Sequence, residues 1–207
     1  VSELTGAAAG MQVLDYCAGA GGKSLALSAA MDNHGQVFAH DTEKVRLAPI
    51  FDRIRRAGSH NIQVVSKRNE LMPLEGHMDI VLVDAPCTGS GTRRRRPDAK
   101  WRLTQRQLEV RKSEQAAILD TAASYVKRGG VLAYVTCSVF DEENGGQVSA
   151  FMQRSDNFEL VDHRALWSLR LPGHGAAARF GTSGGISLSP ALTGTDGFYF
   201  CALRRIN

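Results

Sequence analysis

The sequence predicts an α/β, Rossmann-like domain: a mostly parallel sheet with helices on both faces. Three observations predict it. Short apolar runs alternate with helix-period segments as far as residue 140. A glycine-rich turn, Gly19, Gly21 and Gly22, follows the first of those runs. The run at residues 79–83, Asp-Ile-Val-Leu-Val, is nearly all apolar, as a parallel strand buried on both faces must be.

Residues 12–16 read as the first strand, running through the glycine turn into a helix at 24–31. Residues 36–40 read as the second strand, ending at Asp41. Val45, Leu47, Ile50, Phe51 and Ile54 give residues 43–57 helical spacing, closed by Gly58 as a C-cap. The third and fourth strands are 62–65 and 79–83, and a long helix covers 104–127, stopped by Arg128-Gly129-Gly130. The fifth strand is 131–136, a helix follows at 142–153, and late strands lie at 158–161 and 197–203. The Gly/Ala/Ser-rich stretch 173–194 reads as a mobile loop. Strands joined by helices of this length imply right-handed crossovers and a parallel sheet. There is no internal repeat and no interior boundary, so the chain reads as one domain, 1–207. It starts without Met, and so reads as the C-terminal part of a longer protein.

The composition is that of a soluble globular protein: 207 residues, 43% hydrophobic and 22% charged, with a net charge of +4. Such mild basicity says little until the position of the charge is known. The four cysteines, Cys17, Cys87, Cys137 and Cys201, form no Cys-x-x-Cys pair, which argues against a metal site. They read as free thiols in a reducing cytosol. No apolar run approaches a membrane span and no signal peptide is visible, so a cytoplasmic location is expected, with no membrane partner.

Glycines at a strand-to-helix turn let a ligand approach the backbone and leave the helix N-terminus open. Asp41 ends the second strand, where an acid can hold two ribose hydroxyls. Together they suggest an adenosine-containing cofactor. The turn lacks the Gly-x-Gly-x-x-Gly spacing of a dinucleotide site, because position 24 is Ser. Asp15, just before the turn, can meet an ammonium group, which favours S-adenosylmethionine over a nicotinamide dinucleotide.

The fourth strand ends in Asp84-Ala85-Pro86-Cys87-Thr88-Gly89-Ser90-Gly91 and the fifth in Thr136-Cys137-Ser138. In an open parallel sheet, ligands bind outside the carboxyl ends of the strands. Two cysteines and an aspartate should therefore converge beside the cofactor. A single buried Cys is usually a small core hydrophobe, and Cys17 and Cys201 read as such, with Cys17 also able to line the cofactor turn. Two at the ends of neighbouring strands are hard to explain as packing. A basic run, Arg93, Arg94, Arg95 and Arg96, followed by Lys100 and Trp101, comes directly after the Cys87 turn. It can neutralise phosphates and stack a base.

These segments resemble the Nop/Sun family of RNA cytosine-carbon-5 methyltransferases, most closely the bacterial RsmB (Fmu/Sun) branch that acts on small-subunit ribosomal RNA. The resemblance covers nearly the whole chain and extends to Thr195-Asp196-Gly197-Phe198-Tyr199. It implies the seven-stranded S-adenosylmethionine-dependent methyltransferase fold, with the cofactor bound by Cys17, Ala18, Gly19, Ala20, Gly21, Gly22, Lys23, Asp41 and Asp84. It implies Cys137 as nucleophile and Cys87 as the cysteine that assists product release. Two positions depart from the family pattern. Ala20 stands where Pro is usual, and Asn69 aligns where Asp is usual after the third strand, although Asn can still pair with an adenine edge.

Carbon 5 of cytosine is too weak a nucleophile to attack a methyl sulfonium unaided. A thiolate adding at carbon 6 makes it nucleophilic, and an acid near ring nitrogen 3, for which Asp84 is the candidate, stabilises the adduct. Lys100 is placed to orient the base or a phosphate. Spacing alone leaves open which cysteine attacks. Competing readings are a methyltransferase of transfer RNA or protein, a cofactor-binding RNA scaffold without catalysis, and a nucleotide-dependent oxidoreductase.

Overall fold

The computed structural model describes residues 1–95, 97–174, 178–181 and 184–207. A short 3-10 turn precedes β1 (Gln12–Asp15), α1 (Gly22–Ala30), β2 (Gln36–His40), α2 (Lys44–Leu47), α3 (Ile50–Ala57) and β3 (Ile62–Val65). Then come α4 (Arg68–Leu71), β4 (Met78–Asp84), α5 (Ala99–Arg102), α6 (Gln105–Ala123) and β5 (Val126–Thr136). The chain closes with α7 (Gly145–Arg154), β6 (Phe158–Leu160), α8 (His163–Arg170), β7 (Arg179–Phe180), β8 (Ile186–Leu188), α9 (Pro190–Thr193) and β9 (Phe198–Arg205).

The sheet runs β3-β2-β1-β4-β5-β9-β8-β7, with β6 also pairing β9. Its first five strands are parallel. β9 returns antiparallel to β5, matching Val131 to Arg204 through to Thr136 and Tyr199. Strand β4 shows why the middle of the sheet is apolar. Val81 and Val83 point into one layer with Leu119, Ala122, Val148 and Phe151 of α6 and α7. Ile80 and Leu82 point into the other, with Leu27 of α1 and Trp167 of α8. Alternate residues serve opposite faces and both faces are covered, so no position from Ile80 to Val83 is free to be polar; the carboxylates Asp79 and Asp84 fall at the strand's two ends.

Several elements differ from the sequence expectation. The helix expected over 43–57 is two helices, because Pro49 has no N–H to continue the ladder. The long helix stops at Ala123, not residue 127. Val126 pairs with Met78 and already belongs to β5. The helix expected at 142–153 starts as a 3-10 turn, Asp141–Glu143, before α7. The glycine-rich stretch expected to be a mobile loop contains β7, β8 and α9. Buried Ile186 and near-buried Leu188 alternate with Ser187 there, and Ser189 caps α9. Among the described residues the sheet therefore has nine strands where seven were expected.

Candidate active site

The turn after β1 is shaped by two glycines in the left-handed region, Gly19 at φ 51° and Gly21 at φ 80°. Gly21 has a further reason to be glycine: a Cβ there would lie 2.3 Å from Cγ1 of Ile50. That close approach packs the turn on α3. At Gly19 and Gly22 a Cβ would meet nothing nearer than 3.7 Å, so the backbone stays accessible. Helix α1 begins without a side-chain cap, leaving its first-turn N–H groups available to an acceptor. Asp41, almost fully buried, accepts from Gly19 N at 2.9 Å and from Glu43 N at 2.9 Å. Each carboxylate oxygen keeps a second lone pair for a hydroxyl. Asp15 is fully buried beneath the turn, accepts from Ser24 Oγ at 2.7 Å, and leaves Oδ1 without a partner in the structure. An uncapped helix start, an acid beside it and an orphaned buried acceptor fit an adenosine-type cofactor that also carries a cationic group.

The carboxyl ends of β4 and β5 meet the turn. Lys23 Nζ lies 2.5 Å from Asp84 Oδ2, so the first helix and the fourth strand share an ion pair at the rim. In-register pairing of Asp84 with Val135 puts the two following loops side by side. The sulfurs of Cys87 and Cys137 lie 3.3 Å apart. The hydrogen bond from the Cys87 thiol pulls Cys137 below the ordinary thiol range; burial and Asp84 oppose it, and Lys23 assists. The same bond, with burial behind it, pushes Cys87 well above that range. In such a pair one sulfur can hold the proton while the other ionises. Cys17 and Cys201 are different. Burial raises both, Cys201 to about 12, so they are poor thiolates.

The sequence reading missed what holds the two loops. Glu143 is fully buried. It accepts from Thr88 N at 2.8 Å, from Thr88 Oγ1 at 2.5 Å, and from Gln115 Nε2 at 3.0 Å. Gln115 also donates to Pro86 O at 2.9 Å. Ser90 and Ser138 hydroxyls meet at 2.9 Å, and Gly91 N donates to Cys137 O at 2.9 Å. Asn144 accepts from Thr136 Oγ1 and donates to Ser138 O. No periodicity marks these residues; a network of buried polar groups is visible only in three dimensions.

Of the basic run, Arg93 lies over the Phe140 ring at 5.6 Å, while Arg94 and Arg95 pair with Asp196 at 3.3 and 2.5 Å. Arg96 lies outside the described residues. Lys100 sits over the ring of Trp101 at 4.9 Å, and Trp101 is 81% exposed. Asn69 is on α4, after β3. Among the described residues no helix is long and apolar enough to cross a membrane, and no group of three His, Cys, Asp or Glu is arranged to hold a metal.

A glycine turn between β1 and α1, an acid ending β2 and reactive groups at the β4–β5 rim belong to the Rossmann-like fold of S-adenosylmethionine-dependent methyltransferases. Residues 6–204 match the family described as 16S rRNA methyltransferase RsmB/F, and the chain belongs to that family. Ribosomal RNA small subunit methyltransferase B of Escherichia coli is 38% identical over 157 residues, covering 74% of this chain and 36% of that protein. The crystal structure of PH0851 superposes with a TM-score of 0.87 at 32% identity, covering 99% of this chain and 44% of that one. NSun6 from Pyrococcus horikoshii, solved with SFG, gives 0.80 at 27% identity over 100% of this chain and 50% of that one. The chain thus spans half or less of the length of these relatives.

Two outcomes follow from this geometry. Removing the Cys87 thiol removes the donor that favours the Cys137 thiolate. In Cys87→Ala, the pH profile of Cys137 alkylation by iodoacetamide should therefore move to higher pH; no movement, or movement down, would contradict the hydrogen bond. Burial raises the Asp15 carboxyl from the ordinary 3.8 to about 7. Between those values the native chain keeps a proton that the unfolded chain has released, so native stability falls as pH rises through the window. Asp15→Asn removes that dependence. Its melting temperature should gain on the parent between about pH 5 and about pH 8, and a difference independent of pH would refute the assignment.

Proposed function

We propose that this chain transfers a methyl group from S-adenosylmethionine to carbon 5 of a cytosine in RNA, through a covalent cysteine adduct at carbon 6. The names of its curated relatives point to small-subunit ribosomal RNA as the substrate. The observation that carries the reading is the 3.3 Å approach of the Cys87 and Cys137 sulfurs beside the Lys23–Asp84 ion pair. A non-catalytic scaffold has no use for two thiols meeting at this rim, and the glycine turn lacks the spacing of a dinucleotide site.

Residues Cys17, Ala18, Gly19, Ala20, Gly21, Gly22 and Lys23 of the turn, with Asp41, Asn69 and Asp84, are assigned to the cofactor. When bound, it supplies an electrophilic methyl group to carbon 5. Cys137, as thiolate, forms the sulfur–carbon 6 bond, and the ring's π electrons move toward nitrogen 3. Asp84 relays a proton from the Lys23 ammonium it is paired with to nitrogen 3, so the adduct carries no full negative charge. After methylation the carbon 5 proton passes to water. Its electron pair restores the ring double bond, nitrogen 3 returns its proton, and the sulfur–carbon bond breaks with both electrons on Cys137. The Cys87 S–H stabilises that leaving thiolate, which is how it assists release. Arg93, Arg94, Arg95, Arg96 and Lys100 are assigned to phosphates and Trp101 to base stacking. The target base must leave its stack to reach the sulfurs.

Incubation of unmodified small-subunit ribosomal RNA with the protein and labelled cofactor, followed by nucleoside mass spectrometry, should yield 5-methylcytidine. Cys137→Ala should abolish the product, whereas Cys87→Ala should accumulate a protein–RNA adduct that survives denaturation. The reverse pattern would exchange the two roles, and a methylated base other than cytosine would defeat the reading. Replacing Arg93, Arg94 and Arg95 with Ala should weaken RNA binding. The slope of log affinity against log salt should fall by up to about 0.9 for each phosphate no longer neutralised. An unchanged slope would remove the run from the interface.

A further inference from the structure

Glu143 is a carboxylate with no exposed surface, standing behind the loop that carries Cys87. Burying an ionised group is costly unless strong partners compensate. Here the partners are the backbone and hydroxyl of Thr88, the residue next to Cys87, and the Gln115 amide. Gln115 also bonds Pro86 O, so the residues on both sides of Cys87 are tied to one clamp. Behind it, Glu143 O accepts from the buried Tyr134 hydroxyl at 2.7 Å, which fixes the clamp to β5 itself. β5 is the strand that delivers Cys137. A general packing role would need neither a charge nor three bonds converging on the segment around one cysteine.

We propose that Glu143 is the positioning residue for Cys87: its clamp on Thr88 and Gln115 aims the Cys87 S–H at the Cys137 sulfur, and it thereby controls release of the methylated product. This rests on the reading of Cys87 as the release-assisting cysteine. Glu143 touches no reacting atom. Its negative charge behind Cys87 also works against ionisation of that thiol, after the larger effects of the Cys137 hydrogen bond and burial. The proton therefore stays on the sulfur that must donate it.

A positioning role makes a specific demand. Loss of Glu143 should spare attack and impair departure, and so resemble loss of Cys87 rather than loss of Cys137. The test compares Glu143→Ala, Glu143→Gln and Thr88→Val with Cys87→Ala and Cys137→Ala on the same ribosomal RNA with labelled cofactor. The readouts are denaturation-resistant adduct, turnover and KM. Glu143→Ala should accumulate adduct, with turnover lowered roughly 10- to 100-fold, the range for removing a hydrogen bond to a charged group, and KM little changed. Glu143→Gln can keep all three hydrogen bonds, its oxygen accepting from Thr88 N and Gln115 and its amide donating to Thr88 Oγ1. It should recover most of the turnover. Thr88→Val removes only the hydroxyl's hydrogen bond and should show a smaller adduct fraction, which provides the answer if Glu143→Ala does not fold.

Adduct in Cys87→Ala but in neither Glu143→Ala nor Thr88→Val overturns the positioning role and leaves the function intact. Glu143→Ala with parental turnover also overturns it. A Cys87→Ala protein that traps nothing instead overturns the role assigned to Cys87, and this inference with it.

Discussion

The alignment of β4 with β5 is the constraint on which the site depends. Parallel pairing sets Val83 opposite Tyr134 and Asp84 opposite Val135. Both strands end at the same level, and the two loops that follow emerge as neighbours. A slip of one residue would turn every side chain on β5 to the wrong face, since side-chain direction alternates along a strand. Tyr134 would leave the layer it shares with α6 and α7, and Val135 the layer it shares with α1 and α8. Burial on both faces therefore fixes the register, and the register fixes the distance between two sulfurs contributed from positions 50 residues apart.

A second level of order sits on top of that register and is polar. Glu143, Gln115, Asn144, Ser90 and Ser138 are all buried. Most of their donors and acceptors are satisfied by one another or by nearby backbone, although Gln115 Oε1 has no partner in the structure. Such networks add little net stability compared with an apolar core, but they penalise every arrangement except one. The hydrophobic layers bring the loops together, and the hydrogen bonds choose how the loops face.

Much of this was legible in the sequence, and the reason lies in particular residues. Asp84 breaks an otherwise apolar run, and Cys137 follows another, so the places where strands leave the core can be read directly. The turn at Gly19 to Gly22 is legible because its backbone geometry suits few other residues. Other features were not legible. Glu142 and Glu143 are adjacent and chemically identical, and only the folded structure sets one of them against Thr88 and Gln115. Ile186 and Leu188 form too short an alternation to stand out among glycines and serines. Arg94 and Arg95 read as part of a run that can neutralise phosphates, and nothing in the sequence shows that Asp196, about a hundred residues later in the chain, pairs with both. Lys127 to Gly130 carries helix-stop residues yet runs in a strand, because pairing of Val126 with Met78 outweighs local preference.

The stitching of residue 91 has a consequence for how the molecule comes into being. Gly91 donates to Cys137 O and accepts from Gly197 N, and a Cβ on it would collide with the Gly197 carbonyl at 2.2 Å. Three stretches of chain, the loop after β4, the end of β5 and the start of β9, thus close on one another at a point where only bare backbone fits. During synthesis both thiols leave the ribosome well before residue 197 does. The nascent polypeptide then carries its reactive groups without the strand that seats them, and the two loops are held in place only once β9 has emerged and docked.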